Sequence, residues 1–192
     1  LLKDLEKEMV ELGKKEEFTS ERLRKIIGKI EKIIHRYKLV SFASNVAQAS
    51  TMALHDNEIA RACAESLILS NYSFSKYLSK EKKSKPIELV SLQWMGSEKL
   101  FVDGLRVGRI IAESTNYVKD LVNEPANVMT PSEIEKIAKT LAVSRKLKIR
   151  VMERDEIKKE GLGAFLGVAQ GSAQFPKLIF LEYKGGGSDA PI

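Results

Sequence analysis

The segment that most constrains the fold is residues 130–133 (TPSE), which combines several signals for the start of a helix. Threonine is a favoured N-cap, proline fits the first helical position, and glutamate three residues after the cap completes a capping box. Met129 and Ile134 flank these residues with the spacing of a hydrophobic staple. We therefore predict a helix over residues 131–142. Its predicted inward positions are Ile134, Ile137, Ala138 and Leu141.

Helix and strand signals alternate after this helix. Residues 147–151 alternate apolar and polar side chains and predict a strand. Residues 155–160 predict a short helix that Gly161 ends, and residues 177–183 (KLIFLEY) predict a mostly apolar strand. Such alternation is typical of an α/β layer around a central sheet that is at least partly parallel.

The first half of the chain also mixes helix and strand patterns. Thr19 is placed to cap a helix whose apolar residues recur at steps of three and four over residues 23–37. Phe18 is placed to staple onto Leu23 of that helix. The other predicted elements are a helix over residues 1–12, strands over residues 38–43 and 87–92, and a long helix over residues 56–78.

A second long helix is predicted over residues 97–122, and it carries a line of small residues. Gly104, Gly108 and Ala112 lie four apart on this helix. Glycine inside a helix costs roughly 0.5 to 1 kcal/mol relative to alanine, so a line of small residues needs a compensating reason. We predict that another backbone passes close to this side of the helix.

Composition restricts the classes of function. At 192 residues the chain can hold two modest pieces of fold, and no apolar run approaches the roughly 20 residues that span a bilayer. The net charge of +6 could favour nucleic acid, but the cations are interleaved with carboxylates. Even the dense stretches 80–85 and 145–150 are interpreted as solvated surface rather than as a nucleic-acid site. The single Cys63 is typical of a reducing compartment, so we expect an intracellular protein with no membrane segment.

No catalytic arrangement is visible in the residues themselves. A metallohydrolase needs three or more ligands that converge on the ion, but His35 and His55 are far apart and no HExxH pair occurs. Residues 55–58 (HDNE) are interpreted as a helix start capped by their aspartate or asparagine. The glycines of residues 161–167 are one residue too widely spaced for a dinucleotide fingerprint. We therefore predict no catalytic, metal-binding or substrate-binding residue in this chain.

A longer pattern opens with DLVNEPANVMTP at residues 120–131. It continues through the predicted helix, DEIKKEGLGAFLGVAQGS at residues 155–172 and PKLIFLEYKG at residues 176–185. In this order the segments resemble the leucyl aminopeptidase family of cytosolic metallopeptidases, the M17 type. Upstream, the small-residue helix resembles the interdomain helix of that family. SNYSFSKYL and IELVSL resemble the back half of its N-terminal domain.

The resemblance implies an α/β fold in three parts. Residues 1–96 would be the end of an N-terminal α/β domain that lacks its opening strands, and residues 97–124 would be the interdomain helix. Residues 125–192 would supply the first helices and strands of a mixed-sheet catalytic domain. Residues 189–192 would lead into a further strand, and the metal ligands of the family would lie beyond residue 192.

The resemblance also implies the activity of the complete enzyme. It would remove leucine-like N-terminal residues from peptides at a site with two divalent ions, zinc or manganese, in a cytoplasmic homohexamer. The ions would polarise the scissile carbonyl and supply the attacking water. These 192 residues alone are expected to be inactive. One alternative is a non-catalytic scaffold or binding module, including one that binds DNA, and another is an unrelated α/β domain with the same helix-cap chemistry.

Overall fold

The computed structural model describes residues 18–45, 54–80, 85–185 and 187. The chain divides into two compact units, Leu1–Asn123 and Glu124–Ile192. The helix predicted for residues 1–12 and the strand entrance expected at residues 189–192 lie outside the described residues. The elements of the first unit are α1 (Ser20–Arg36), β1 (Ser41–Ser44), α2 (Asp56–Ser70), β2 (Leu89–Leu92) and α3 (Glu98–Asn123). Those of the second unit are α4 (Pro131–Arg145), β3 (Lys148–Met152), α5 (Arg154–Lys159), α6 (Gly163–Ala169) and β4 (Leu178–Glu182).

Helix α1 begins as its sequence predicts and supplies much of the first core. The Thr19 hydroxyl accepts a hydrogen bond from the Arg22 N–H at 3.2 Å, which confirms the predicted cap. Lys38, two residues after the end of the helix, has a φ of 54° in the left-handed region, as is common just after a helix. Strand β1 therefore begins at Ser41 rather than at residue 38. The side chains of α1 that join the core are Leu23, Ile26, Ile27, Ile30 and Ile34.

Helix α2 is shorter than predicted. It ends at Ser70, although the apolar pattern predicted a helix to residue 78. The side-chain amide of Asn71 donates to the Ile87 carbonyl and accepts from the Ile87 N–H, both at 3.0 Å. This paired contact fixes the chain at the helix end and aligns the segment that leads into β2. The residue responsible for it lies sixteen positions away in sequence, so the helical pattern could not reveal it.

Helix α3 packs against α2 along its small residues, as predicted. A Cβ atom at Gly104 would collide with the Asn57 carbonyl oxygen, and one at Gly108 would lie 2.6 Å from the Arg61 carbonyl oxygen. Ala112 is fully buried on the same side. The two backbones approach too closely for larger side chains, because any added atom would meet peptide groups rather than flexible side chains.

The described strands form two short sheets of two strands each. Strands β1 and β2 pair in parallel, from Ser41 opposite Leu89 to Ser44 opposite Leu92. Strands β3 and β4 pair antiparallel, from Lys148 opposite Glu182 to Met152 opposite Leu178. The predicted α/β class is therefore observed. Parallel pairing, however, occurs in the first unit, whereas the expectation of a partly parallel sheet came from the alternation in the second.

Helix α4 forms with only half of its predicted capping box. The Thr130 hydroxyl accepts from the Glu133 N–H at 3.3 Å. The Thr130 N–H donates instead to the Val128 carbonyl at 3.0 Å, and the Glu133 carboxylate pairs with Lys136 at 3.4 Å. Ile134 is 46% exposed, so the prediction that this side chain points inward is wrong. The buried residues of α4 are Ala138 and Ala142.

The glycine-rich segment of the second unit contains a helix that the sequence did not predict. Gly161 ends α5 with a φ of 73°, as expected. Residues 163–169 then form α6, with Phe165 and Val168 exposed on it. Its two glycines lower helix propensity, so the sequence pattern did not indicate a helix there.

Candidate functional site

The described residues contain no group of three or more His, Cys, Asp or Glu side chains that could hold a metal ion. The densest polar cluster, residues 55–58, is structural. The backbone N–H of His55 donates to the Glu58 carboxylate at 3.1 Å, and Asp56 accepts from the Ser97 N–H at 2.6 Å. The interpretation as a helix start is confirmed, but His55 is the N-cap, not the aspartate or asparagine. Asp56 instead joins the start of α2 to the start of α3.

The cysteine is equally unsuited to chemistry. Cys63 is fully buried in the core of the first unit. Burial raises the pKa of its thiol to about 12. Because the thiolate is the nucleophilic form, this side chain stays protonated and inert at neutral pH.

Charged groups in the second unit are arranged as ion pairs. Lys177 lies 2.7 Å from the Glu135 carboxylate and 2.8 Å from the Glu153 carboxylate. Hydrogen bonds to these two partners raise the pKa of Lys177. Hydrogen bonds from Lys139 and then Lys177 lower the pKa of Glu135. The network joins the start of β4 to α4 and to the residue that precedes α5, so its role is to hold the scaffold.

The cation-dense stretch 145–150 is similarly neutralised where the structure shows contacts. Arg150 pairs with Glu156 at 2.6 Å, and this hydrogen bond raises the pKa of the guanidinium. Lys146 and Lys148 are exposed to solvent. The arrangement fits the solvated surface expected from the sequence.

The second unit also has a small polar cavity near α6. Its volume is about 100 Å³, and Arg154, Gln170, Ser172 and Gln174 line it. Small-molecule sites usually occupy roughly 300 to 1,000 Å³, so this cavity is too small for a peptide substrate.

A polar cluster links the segment that follows α2 to the last turn of α3. The Tyr72 hydroxyl donates to the Asp120 carboxylate at 2.8 Å and accepts from the Asn123 amide at 3.1 Å. Loss of solvent contact is the largest cause of the raised pKa of Tyr72. Lys119 lies over the Tyr72 ring, 4.6 Å from its centroid. This cluster orders the C-terminal end of α3 within the first unit.

Among the buried acids that sequence reasoning missed, Glu31 is the most deeply buried. It is 1% exposed, although α1 otherwise buries aliphatic side chains. Burial raises the pKa of Glu31 to about 8, and the Ser70 hydroxyl partly offsets this effect. The signal was present, because position 31 lies four residues after Ile27 and three before Ile34, on the apolar face of the helix.

These observations define a two-unit α/β scaffold without an evident catalytic centre in its described residues. Residues 9–81 match the model of the cytosol aminopeptidase family, N-terminal domain. Residues 116–192 match the model of the cytosol aminopeptidase family, catalytic domain. The order of the two matches is that of a two-domain peptidase.

Individual relatives agree with these matches. A probable cytosol aminopeptidase of Sulfurihydrogenibium is 35% identical over 179 residues, which cover 92% of this chain and 35% of that protein. A probable cytosol aminopeptidase of Aquifex aeolicus is 36% identical over 180 residues, covering 93% and 35%. The chain therefore belongs to the cytosol aminopeptidase (M17) family, and it spans about a third of the length of these relatives.

A solved structure shows the same fold. The bottromycin maturation enzyme BotP, in complex with Mn, superposes with a TM-score of 0.75 at 25% identity. The match covers 90% of this chain and 35% of that one. None of the described helices combines the length and apolar character needed to span a bilayer.

Proposed function

We propose that this chain is the scaffold portion of an aminopeptidase whose reaction is carried out by residues outside it. The observation that carries the proposal is the pair of family matches, N-terminal domain followed by catalytic domain, in one chain. The described residues offer no set of metal ligands, and their most perturbed acid and thiol are buried in the first unit. No chemical step is therefore assigned to them.

The finer features of this proposal rest on the resemblance described from the sequence. We infer a preference for leucine-like N-terminal residues of peptides, two divalent ions of zinc or manganese, a cytoplasmic location and a homohexamer. The metal ligands would lie beyond residue 192. We also infer that residues 1–96 and 125–192 belong to different domains, with residues 97–124 as the helix between them.

Within this proposal, each unit has a structural task. In the first, close contact between α2 and α3 and the cluster around Tyr72 hold the long helix in one direction. In the second, Lys177 and its two carboxylates hold β4 against the rest of its unit. Both tasks concern the positioning of elements and need no contact with substrate.

The proposal is tested by comparing two proteins: this chain and a chain that continues past Ile192 to the length of the relatives. Leucine p-nitroanilide hydrolysis is measured with added Mn²⁺ or Zn²⁺, and after chelation. We expect metal-dependent hydrolysis by the longer chain and none by the 192-residue chain. Hydrolysis by the shorter chain at an equal rate would overturn the assignment of the chemistry to residues beyond Ile192.

The binding-module alternative predicts a different result. The longer chain would then lack peptidase activity and bind DNA with an affinity that falls as salt rises, because counterions are released from phosphates. The relatives' names give no support to that alternative, since they describe aminopeptidases. Native mass measurement of the longer chain separately tests the hexamer.

A further inference from the structure

The small polar cavity of the second unit is built from three segments. Arg154 is the first residue of α5, Leu166 and Ala169 belong to α6, and residues of the loop 170–176 lead towards β4. The cavity volume of about 100 Å³ is room for about three water molecules, since each occupies roughly 30 Å³ in the liquid. A single small ion such as phosphate therefore fits, whereas a peptide does not.

Arg154 is the cation among the residues that line the cavity, and its guanidinium has no hydrogen bond or ion pair with a described residue. Lys177, in contrast, is already held by the carboxylates of Glu135 and Glu153. No carboxylate lines the cavity, and Asp155, the next residue in sequence, lies outside the lining. An arginine without a carboxylate partner keeps a planar fork of donors that matches phosphate oxygens.

The loop adds uncharged donors to this cation. The Ser172 hydroxyl oxygen accepts from the Gln174 N–H at 3.1 Å, so the hydroxyl hydrogen remains for another acceptor. The side-chain amides of Gln170 and Gln174 also line the cavity and have no partner among the described residues. Each of these amides has two N–H donors. The cavity thus offers hydrogen-bond donors from four different residues.

The end of α6 beside the cavity does not reverse this preference for an anion. A helix C-terminus carries a partial negative charge on its unpaired carbonyls. Here the Gly167 and Ala169 carbonyls accept from the N–H groups of Gln170 and Ser172 at 3.3 and 3.1 Å. A metal ion would find no carboxylate ligand in the lining and would be repelled by Arg154.

We propose that this cavity binds a free inorganic phosphate ion, with the Arg154 guanidinium as its counter-ion and the Ser172 hydroxyl and the two glutamine amides as further donors. The four oxygens of a tetrahedral ion can use donors from several directions, whereas a planar carboxylate offers two oxygens. The inference goes beyond peptide hydrolysis, because it gives the second unit an anion site that needs neither metal nor peptide.

The test titrates sodium phosphate into the 192-residue chain and follows binding by amide NMR. Sodium chloride holds the ionic strength at about 0.1 M, so that general screening stays constant. We expect a Kd of about 1 mM, as suits so small a ligand. The signals that shift should be the backbone amides of residues 170–175 and the side-chain N–H of Arg154. Signals from the core of the first unit should stay in place.

Other anions and three variants define the site. Sulfate has the same shape and should bind within about threefold of phosphate, whereas acetate should bind at least about tenfold more weakly. Glycerol 3-phosphate should bind at least about threefold more weakly, because its glycerol group exceeds the cavity.

R154Q removes the charge and should lose about tenfold in phosphate affinity, and R154K, which keeps the charge without the fork, about threefold. The matched control K159Q removes an exposed lysine of the same helix that does not line the cavity. It should change the affinity by no more than about 1.5-fold, since exposed charges are screened. The amide signals of β3 and β4 verify that each variant is folded.

Small shifts spread over the whole surface, or equal binding of phosphate and acetate to the unchanged chain, would overturn the proposal without reliance on any variant. A folded R154Q with the phosphate affinity of K159Q would do the same, and tighter binding of glycerol 3-phosphate would overturn the assignment to the free ion. These readouts are independent of peptidase activity. Failure here would therefore leave the proposed aminopeptidase assignment untouched, and the reverse also holds.

Discussion

The two units use the same secondary structures but cover their apolar surfaces to different extents. In the first unit, α1, α2 and α3 enclose a continuous core that includes Leu23, Ile59 and Phe101. In the second, the buried hydrophobic residues among those described are Ala138, Ala142, Met152 and Ile157. Its strand β4 leaves Phe180 and Leu181 exposed at 46% and 43%.

This difference shows where each unit obtains its stability. Close helix contacts and a shared apolar core hold the first unit, so backbone approach limits its sequence. The second unit depends more on caps and ion pairs, since its described sheet has two strands and an exposed apolar side. An exposed apolar strand is also an aggregation hazard.

The largest effect should come from adding a bulky side chain where α2 and α3 are in close contact. In G104V the new side chain would meet the Asn57 carbonyl and the Ala60 side chain, so we expect a loss of about 3 kcal/mol in the free energy of unfolding. The matched control R106A lies on the exposed side of the same helix and should change stability by no more than about 0.5 kcal/mol. Urea titration followed by Trp94 fluorescence measures both. Similar urea midpoints for G104V and R106A would contradict the close packing of α2 against α3.

A second effect concerns pH and Glu31. Its pKa is raised in the folded state, so the folded protein retains a proton that the unfolded chain releases. Stability should therefore fall as pH rises from the ordinary value of 4.5 towards 8. Relative to E31Q, the unchanged chain should lose about 2 kcal/mol between about pH 6 and about pH 7.5. Parallel pH profiles for the two proteins would argue that Glu31 is not buried as an acid.

The second unit should respond to pH in the opposite direction. K177M removes the cation that Glu135 and Glu153 share, so amide exchange in β3 and β4 should accelerate while the first unit is unchanged. The lowered pKa of Glu135 means that its stabilisation is present above 4.5 and is lost as pH falls below that value. The control K184M removes an exposed lysine that pairs with Glu182. Equal exchange in K177M and K184M would show that the network is dispensable.

The smallest effect should come from the cap of α4. T130A removes the hydroxyl that accepts from the Glu133 N–H, at a cost of about 1 kcal/mol to this helix. S132A changes an exposed hydroxyl two residues later and should be nearly neutral. Hydrogen exchange at the first turn of α4 measures the difference. If T130A and S132A show the same exchange rates, the half-formed capping box does not stabilise this helix.

The sequence predicted those features whose causes are local. Thr19 and Thr130 each cap a helix through a residue three positions later, and the line of Gly104, Gly108 and Ala112 indicated a close backbone. The absence of metal ligands stays a prediction. Helix ends were predicted less well. The end of α2 depends on the contact between Asn71 and Ile87, which no periodic pattern contains.

By itself, the sequence determined the α/β class, the starts of the capped helices and the membership in the M17 family. Tertiary structure alone decided the pairing directions of the strands, the burial of Glu31 and the partners of Lys177. The physical reason is the range of the interactions. Caps and helical periodicity act within one turn, whereas burial, strand pairing and ion networks depend on groups that are distant in the chain and become neighbours only on folding.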